Sequence, residues 1–401
     1  MILDAGPQWA AISSFANLRR AAFAAARGKR RSRAAARFLE RCEPELFRLQ
    51  AELHEDRWRP GQPTVFTIRD PKVRSITAAP FRDRVVHHAL VGPLEPLFER
   101  SMVAESFACR RGKGTHKALA HAQALAGRCD WFLKLDIAKC FESIPHGAVM
   151  ETLSELGLEP AVLRLCQRVL DGEGGNTGKG LPIGNLTSQW FANLVLSRVD
   201  RCVAAMPRIE GYARYMDDFL LCASTKGVLG EALPRVAACA TELGLSLKER
   251  ATILAPTSRG IPFLGWQVFA GTLRLRPENA RRSRRRLKHR RWELRTGRIG
   301  EERYMDAVRS VLVHAGHGGS SAWLRRAVSE CCARDDELGS GSTKLRQPRA
   351  SRRELEQLPR EREVGEPQRQ HAGEPQQRQR PPSLQCIATP DVLCPAPDPR
   401  P

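Results

Sequence analysis

Negative charge is what this chain has too little of. Against 65 Lys and Arg stand 44 Asp and Glu, a net charge of +21 over 401 residues. A surplus of that size points to a polyanionic partner, nucleic acid first. Long apolar runs are missing too. No stretch approaches the roughly 18 apolar residues that a membrane-spanning helix needs, so no span is expected. The N-terminus lacks the apolar core of a signal peptide, because Arg19, Arg20 and Arg27 interrupt it. The 12 cysteines include no CxxC pair, and Cys331 and Cys332 are adjacent, which suits them poorly as joint zinc ligands. Zinc and disulfide frameworks are therefore set aside, and the thiols read as reduced, in a cytoplasmic protein.

What is there divides into four parts. Residues 9 to 55 alternate Ala-rich stretches with Arg, and Leu39, Leu46, Leu49 and Leu53 recur at helical spacing. The basic cluster Arg27 to Arg37 is either an RNA grip or a solvated helix face. From residue 64 the pattern becomes strand-like: Val65 to Ile68, a turn over Arg69 to Lys72, then Arg74 to Thr77. Lys72 and Arg74 flank the expected hairpin tip, where they can reach a triphosphate. Arg82 and Asp83 read as a structural ion pair. Between 277 and 335 cations crowd a short helix: Arg281, Arg282, Arg284, Arg285, Arg286, Lys288, Arg290 and Arg291. Like charges at i,i+4 destabilise a helix unless a polyanion covers them. Trp292 and Trp323 are expected in the core of that part. From residue 336 Arg, Glu, Gln and Pro dominate, too apolar-poor to offset the entropy of ordering.

The chemistry lies in two apolar runs. Gly211 to Cys222 (GYARYMDDFLLC) reads as two strands around a tight turn carrying Asp217 and Asp218. Phe132 to Ile137 (FLKLDI) reads as a strand ending on Asp136, followed by a turn and a helix from about Pro145. An unpartnered buried carboxylate costs several kcal/mol. So these acids face water or cations. Three of them at one point supply the oxygen ligands for two Mg²⁺ ions shared with substrate phosphates.

This pair of motifs resembles the active site of reverse transcriptases, over roughly residues 60 to 330. The resemblance implies that Asp136, Asp217 and Asp218 hold two Mg²⁺ ions, with the Ile137 carbonyl as a further ligand. It implies that Lys72 and Arg74 contact the incoming nucleotide, that the Phe141 ring packs on the sugar and selects dNTPs, and that Lys248 lies in the motif whose lysine protonates the leaving pyrophosphate. Phe107 to His116, with Arg110, Arg111 and Lys113, resembles a nucleic-acid-binding fingers loop; His116 is expected to cap or pack on the next helix. Ile261 to Val268 resembles the primer-grip hairpin. Arg281, Arg285 and Lys288 would grip the primer–template duplex.

One block departs from most of the family. Residues 180 to 189 read GLPIGNLTSQ, with Ile183 where most reverse transcriptases carry Gln and Gln189 where they carry Pro. Ile183 removes a polar contact to the nucleotide and leaves an apolar wall. The pattern resembles the reverse transcriptases of diversity-generating retroelements. These copy a template RNA with errors opposite adenine, and the resemblance implies a small basic accessory variability determinant as partner and a bacterial or phage gene. Back-translated one base out of frame, Ser351 to Arg380 also permits an Asn-rich peptide like the template repeat of such elements.

The expected architecture is an α+β right-hand polymerase: a helical N-terminal extension over 1–60, fingers and palm over 61–276 with an antiparallel sheet, a helical thumb over 277–335 and a disordered basic, Pro-rich tail over 336–401. The expected activity is RNA-directed DNA synthesis from template RNA, primer and dNTPs. Two rivals are a faithful enzyme of the group II intron or retron type and a catalytically inactive RNA-binding scaffold with the polymerase fold.

Overall fold

A computed structural model describes residues 6–28, 32–68, 73–174 and 178–315. The tail, Trp323, Lys72 and the Cys331–Cys332 pair lie outside them. Four helices open the chain: α1 (Pro7–Ser13), α2 (Phe15–Ala25), α3 (Arg33–Glu40) and α4 (Cys42–His54). Ser14 and Ser32 cap α2 and α3, each hydroxyl accepting a backbone N–H of the first turn. Their apolar stripes, with Ile12, Leu18, Leu46 and Leu49 fully buried, pack on one another, and α1, α2 and α3 pack on α5 (Phe81–Ser101).

Before α5 comes a hairpin, β1 (Thr64–Ile68) and β2 (Arg74–Ala78), paired antiparallel with Ile68 opposite Arg74. Arg74 thus stands at the tip end, as the sequence suggested. The Arg82–Asp83 pair does not form. Arg82 reaches Glu52 of α4 at 2.8 Å, while Asp83 accepts the Gly61 N–H at 2.7 Å. Consecutive residues of a helix point about 100° apart, so each finds its own partner. Burial then raises the Asp83 carboxyl above its ordinary value, against the pull of the Gly61 N–H.

After α6 (Thr115–Arg128) the chain builds the central sheet. Its strands are β3 (Trp131–Asp136), β4 (Gly211–Tyr215), β5 (Asp218–Ala223) and β6 (Ile253–Pro256), ordered β4-β5-β3-β6, every pair antiparallel. Helices α7 (Cys140–Ser143), α8 (His146–Glu155), α9 (Pro160–Gly174) and α10 (Leu186–Ala204) separate β3 from β4, and α11 (Lys226–Glu242) follows β5. Side chains alternate across a strand. Leu133, Leu135, Phe219 and Leu221 therefore join the main core with α10 and α11. Phe132, Ala213, Leu220 and Cys222 face a second core, shared with α6 and a small sheet of β7 (Ile261–Phe263), β8 (Trp266–Val268) and β9 (Leu273–Leu275). The face that begins apolar at Phe132 becomes charged at Lys134 and Asp136. The strand's own alternation thus leaves its last acid at the edge of the second core.

The expected primer-grip hairpin is β7–β8, turned through Leu264 and Gly265, both at positive φ. Helices α12 (Pro277–Arg295) and α13 (Glu301–Ala315) follow and pack on each other. Trp292 is not in their core. It is 44% exposed, with the Arg298 guanidinium 4.3 Å from its ring centroid and His289 stacked beside it. Leu287 takes the buried position on α12 instead. His116 is exposed in the first turn of α6. The eight described cysteines are free thiols, and among the described residues no helix is long and apolar enough to cross a membrane.

Candidate active site

The β4–β5 hairpin turns through Met216 and Asp217. Met216 holds φ +53°, a left-handed conformation unfavourable for a side chain with a Cβ. Something must hold it there. Arg214, at 0% exposure, donates from Nη1 to the Met216 carbonyl at 3.2 Å. The same guanidinium forks onto Asp200 of α10, with both contacts 2.6 Å, and reaches Asn193 Oδ1 at 2.8 Å. Tyr212 donates its hydroxyl to Asp200 at 2.5 Å. Burial, then the Asp200 charge, pushes the Tyr212 phenol well above its ordinary range, so it stays a donor. Sequence reasoning missed this network. Its signal was an Arg between Ala213 and Tyr215 in a strand that otherwise reads as buried.

The hairpin lies directly beside the end of β3. Asp136 and Asp218 are cross-strand partners, and the Ile137 N–H donates to the Asp217 carbonyl at 3.3 Å. Residues 246 to 248 zip the other side: Ala138 N–H donates to Ser246, and Lys248 N–H to the Asp136 carbonyl, each at 2.8 Å. Lys248 is thus fixed at the site by its backbone, with its side chain exposed. Acids that stand about 80 residues apart in sequence meet at one end of the sheet's two inner strands.

Crowding shows in their titration. Burial first, and then the Asp136 charge, raises the Asp217 carboxyl. Burial pushes Asp218 up to about 7, even though Lys134 Nζ stands 2.9 Å from its Oδ1. That contact is an ion pair without hydrogen-bonding alignment, and Asp218 Oδ1 is otherwise buried with no donor. No described hydrogen bond ends on the Ile137 carbonyl. The donors are all oxygen, the set that Mg²⁺ prefers. Among the described residues no three His, Cys, Asp or Glu side chains gather closely enough to hold an ion unaided. Mg²⁺ commonly takes one or two carboxylates and completes its shell with water and substrate phosphates, so the residues fit an ion that arrives with substrate.

A pH dependence follows. Ionised Asp218 adds a negative charge beside Asp136 and Asp217, and its protonated form does not. Divalent-ion affinity is therefore expected to climb as pH rises through about 7 and to level off above it. Mn²⁺ titrations at pH 6, 7 and 8 measure this; a flat profile contradicts it.

The nucleotide-side candidates come together around β2. Ile183 accepts the Thr77 N–H at 3.1 Å, and Asn185 Oδ1 accepts that of Ala79 at 3.3 Å. Gly184, at φ +120°, sits where a Cβ would come 3.0 Å from Ile76 Cγ2. The Leu181 N–H donates to the Phe141 carbonyl, so the Phe141 and Ile183 segments adjoin. Arg74 is close enough for its charge to favour ionised Asp217.

Other candidates fall elsewhere. Arg110 is a structural residue: only 6% exposed, it pairs with Glu99 at 2.8 Å and donates to the Val103 and Ser106 carbonyls. Arg111, exposed, pairs with Glu95 at 2.8 Å. Lys113 donates to the Ala104 carbonyl at 2.6 Å and lies over the Phe107 ring. This loop is zipped onto β4, with Phe107 N–H on the Arg214 carbonyl and Arg214 N–H on that of Glu105. Its cations tie it to α5 and to itself, because a loop packed against the sheet must neutralise the acids of the helix beneath. Gln189 accepts the Cys109 thiol at 3.4 Å. Arg281, Arg285 and Lys288 are exposed on α12.

The family model described as "Reverse transcriptase (RNA-dependent DNA polymerase)" matches residues 68–268. The chain belongs to the reverse transcriptase family. Among curated relatives, the "Putative COX1/OXI3 intron 1 protein" of Saccharomyces cerevisiae is 27% identical over 164 residues, covering 39% of this chain and 20% of that one. The "Group II intron-encoded protein LtrA" of Lactococcus lactis subsp. cremoris is 24% identical over 138 residues, 33% of this chain and 23% of that one. Among solved structures, apo telomerase from Candida tropicalis, truncated from its C-terminal domain, is 11% identical with a TM-score of 0.42, covering 56% of this chain and 58% of that one. The chain spans about a fifth of the length of the curated intron proteins it matches.

Proposed function

We propose that this reverse transcriptase family member is an active RNA-directed DNA polymerase, and that it is the error-prone enzyme of a diversity-generating retroelement. The observation that carries the first half is the register of β3 against β5, which sets Asp136 opposite Asp218 and beside the Asp217 turn. Asp136 and Asp217, with the Ile137 carbonyl and Asp218, would hold two Mg²⁺ ions. When bound, those ions supply activation of the primer 3′-hydroxyl and neutralisation of the triphosphate. The chain's own residues do the rest. Arg74 meets the triphosphate charge; the Phe141 ring closes the space a 2′-hydroxyl would need; the hairpin Ile261–Phe263 to Trp266–Val268 holds the primer end. Lys248, whose backbone N–H is bonded to the Asp136 carbonyl, gives a proton to the leaving pyrophosphate in this reading. Template RNA and primer lie as a duplex against Arg281, Arg285 and Lys288. A small basic accessory protein fits the retroelement reading as partner.

The second half rests on Ile183. Its backbone is bonded to β2 three residues after Arg74, which supports a nucleotide-side place for it, and in this reading its apolar side chain replaces a polar one that would check the base pair. A hydrogen bond to substrate is worth about 0.5–1.5 kcal/mol, and discrimination is a difference of such terms. Ile183→Gln is therefore expected to lower misincorporation opposite template adenine by roughly two- to tenfold, with little change opposite other bases. Sequencing cDNA made in vitro on an adenine-containing RNA measures it. If the unaltered enzyme copies adenine as accurately as other bases, the retroelement reading fails and polymerase activity survives. The second reading, a faithful intron-type enzyme, is favoured by the identity shared with intron-encoded proteins, and the same experiment decides between them.

A further inference from the structure

A lysine in the interior of a buried strand needs a counter-charge. Moving an ammonium out of water costs several kcal/mol unless one meets it. Lys134 lies on β3 between Leu133 and Leu135, both at 0% exposure, and its own side chain is only 13% exposed. Its backbone is held on both sides, opposite Leu220 of β5 and Ile253 of β6. The strand cannot slip to bring it to water without turning every neighbour to the wrong face. Residues two apart on a strand share a face, so Lys134 projects on the same side as Asp136. Toward the strand's start that face is apolar, with Phe132 and Leu220 in the second core. The ammonium is left one direction, toward the acids, and its Nζ stands 2.9 Å from Asp218 Oδ1.

Charge counting gives this contact a role. The Asp136 charge acts against ionised Asp217, and both act against ionised Asp218, so this repulsion must be relieved before ions and substrate arrive. One built-in positive charge beside Asp218 relieves part of it and also holds that carboxylate in place. It simultaneously makes the vicinity of Asp218 less attractive to a divalent ion than the neighbourhood of Asp136 and Asp217.

We propose that Lys134 is a positioning residue, a resident ammonium that pins the Asp218 carboxylate and leaves Asp136 and Asp217 as the carboxylates open to the ions. The role of the ions rests on the polymerase reading; the pair itself does not.

The test is a charge-pair cycle: Lys134→Met, Asp218→Asn and the double variant, with Lys134→Arg as the conservative control. Metal-free thermal melts come first. Each single variant strands a buried charge and is expected to lower Tm by on the order of 5 °C or more. The double variant strands none and is expected to recover most of that loss. Mn²⁺ binding at pH 8, read as free Mn²⁺ by electron paramagnetic resonance, comes second. Lys134→Met removes a repelling charge, so it is expected to bind Mn²⁺ about three- to tenfold more tightly while extending primers more slowly. A lysine with a merely structural role would not tighten metal binding. Lys134→Arg is expected to keep wild-type behaviour in both assays.

Additive Tm losses in the double variant, or unchanged Mn²⁺ affinity in Lys134→Met, overturn the proposal. If the singles do not fold but the double does, the coupling is present in extreme form; if none folds, the pair is not what the fold depends on, and the proposal is overturned. Coupling without any dNTP incorporation by the wild type removes the polymerase reading and leaves the ion pair. Incorporation with additive losses does the reverse.

Discussion

Replacing Asp217 by Asn is expected to abolish Mg²⁺-dependent dNTP incorporation on an RNA template, lowering the rate by on the order of 10²–10³-fold or more. Asn keeps the size and shape of Asp, so the hairpin turn is retained. It loses the charge that draws a cation. Asp217 is also the acid whose carboxyl feels Asp136 most directly, so removing it relieves repulsion in the metal-free protein. The variant should therefore melt at or above the wild-type temperature while failing to extend a primer. That combination separates loss of chemistry from loss of fold. Primer extension paired with a thermal melt measures both, and full activity in a folded Asp217→Asn variant removes the site from the catalytic account. An inactive scaffold would show no incorporation in the wild type either.

The second large effect lies behind the turn. Asp200→Asn leaves Arg214 buried at 0% exposure with its principal counter-charge gone. Breaking a buried pair by removing one partner costs about 3–5 kcal/mol, which lowers Tm by on the order of 10 °C in a chain of this size. Removing both charges tests what the pair is for. Buried ion pairs exchanged for well-packed apolar residues are often no less stable. The double variant Arg214→Met with Asp200→Leu should recover part of the lost stability. It should not recover activity, because the Met216 carbonyl has then lost the guanidinium that holds its left-handed turn. Recovery of both would mean that the network serves stability alone.

The site was legible where its signals were local. Asp217 and Asp218 in an apolar hairpin, and Asp136 at a strand end, are patterns of type and period, and the antiparallel sheet realises them as such. The helical opening of the chain, the β1–β2 hairpin and the turn from Ile261 to Val268 were legible for the same reason. What stayed hidden depends on long-range partners. Nothing near Arg82 announces that Glu52 will be its counter-charge, nor near Arg110 that Glu99 will take it out of the nucleic-acid surface. Trp292 looked like core because it is large and apolar; the helix gave Leu287 the inward position and left the indole to Arg298. Nothing local marks Lys134, one charge inside FLKLD, as the cation that meets Asp218.

Crystals of the protein with a primer–template duplex, a non-reactive dNTP analogue and Mn²⁺ would locate the ions by anomalous scattering. The expected result is a peak bound by the carboxylates of Asp136 and Asp217 at the primer terminus. A metal elsewhere at saturating Mn²⁺, with those two carboxylates free of any ion, would contradict the account.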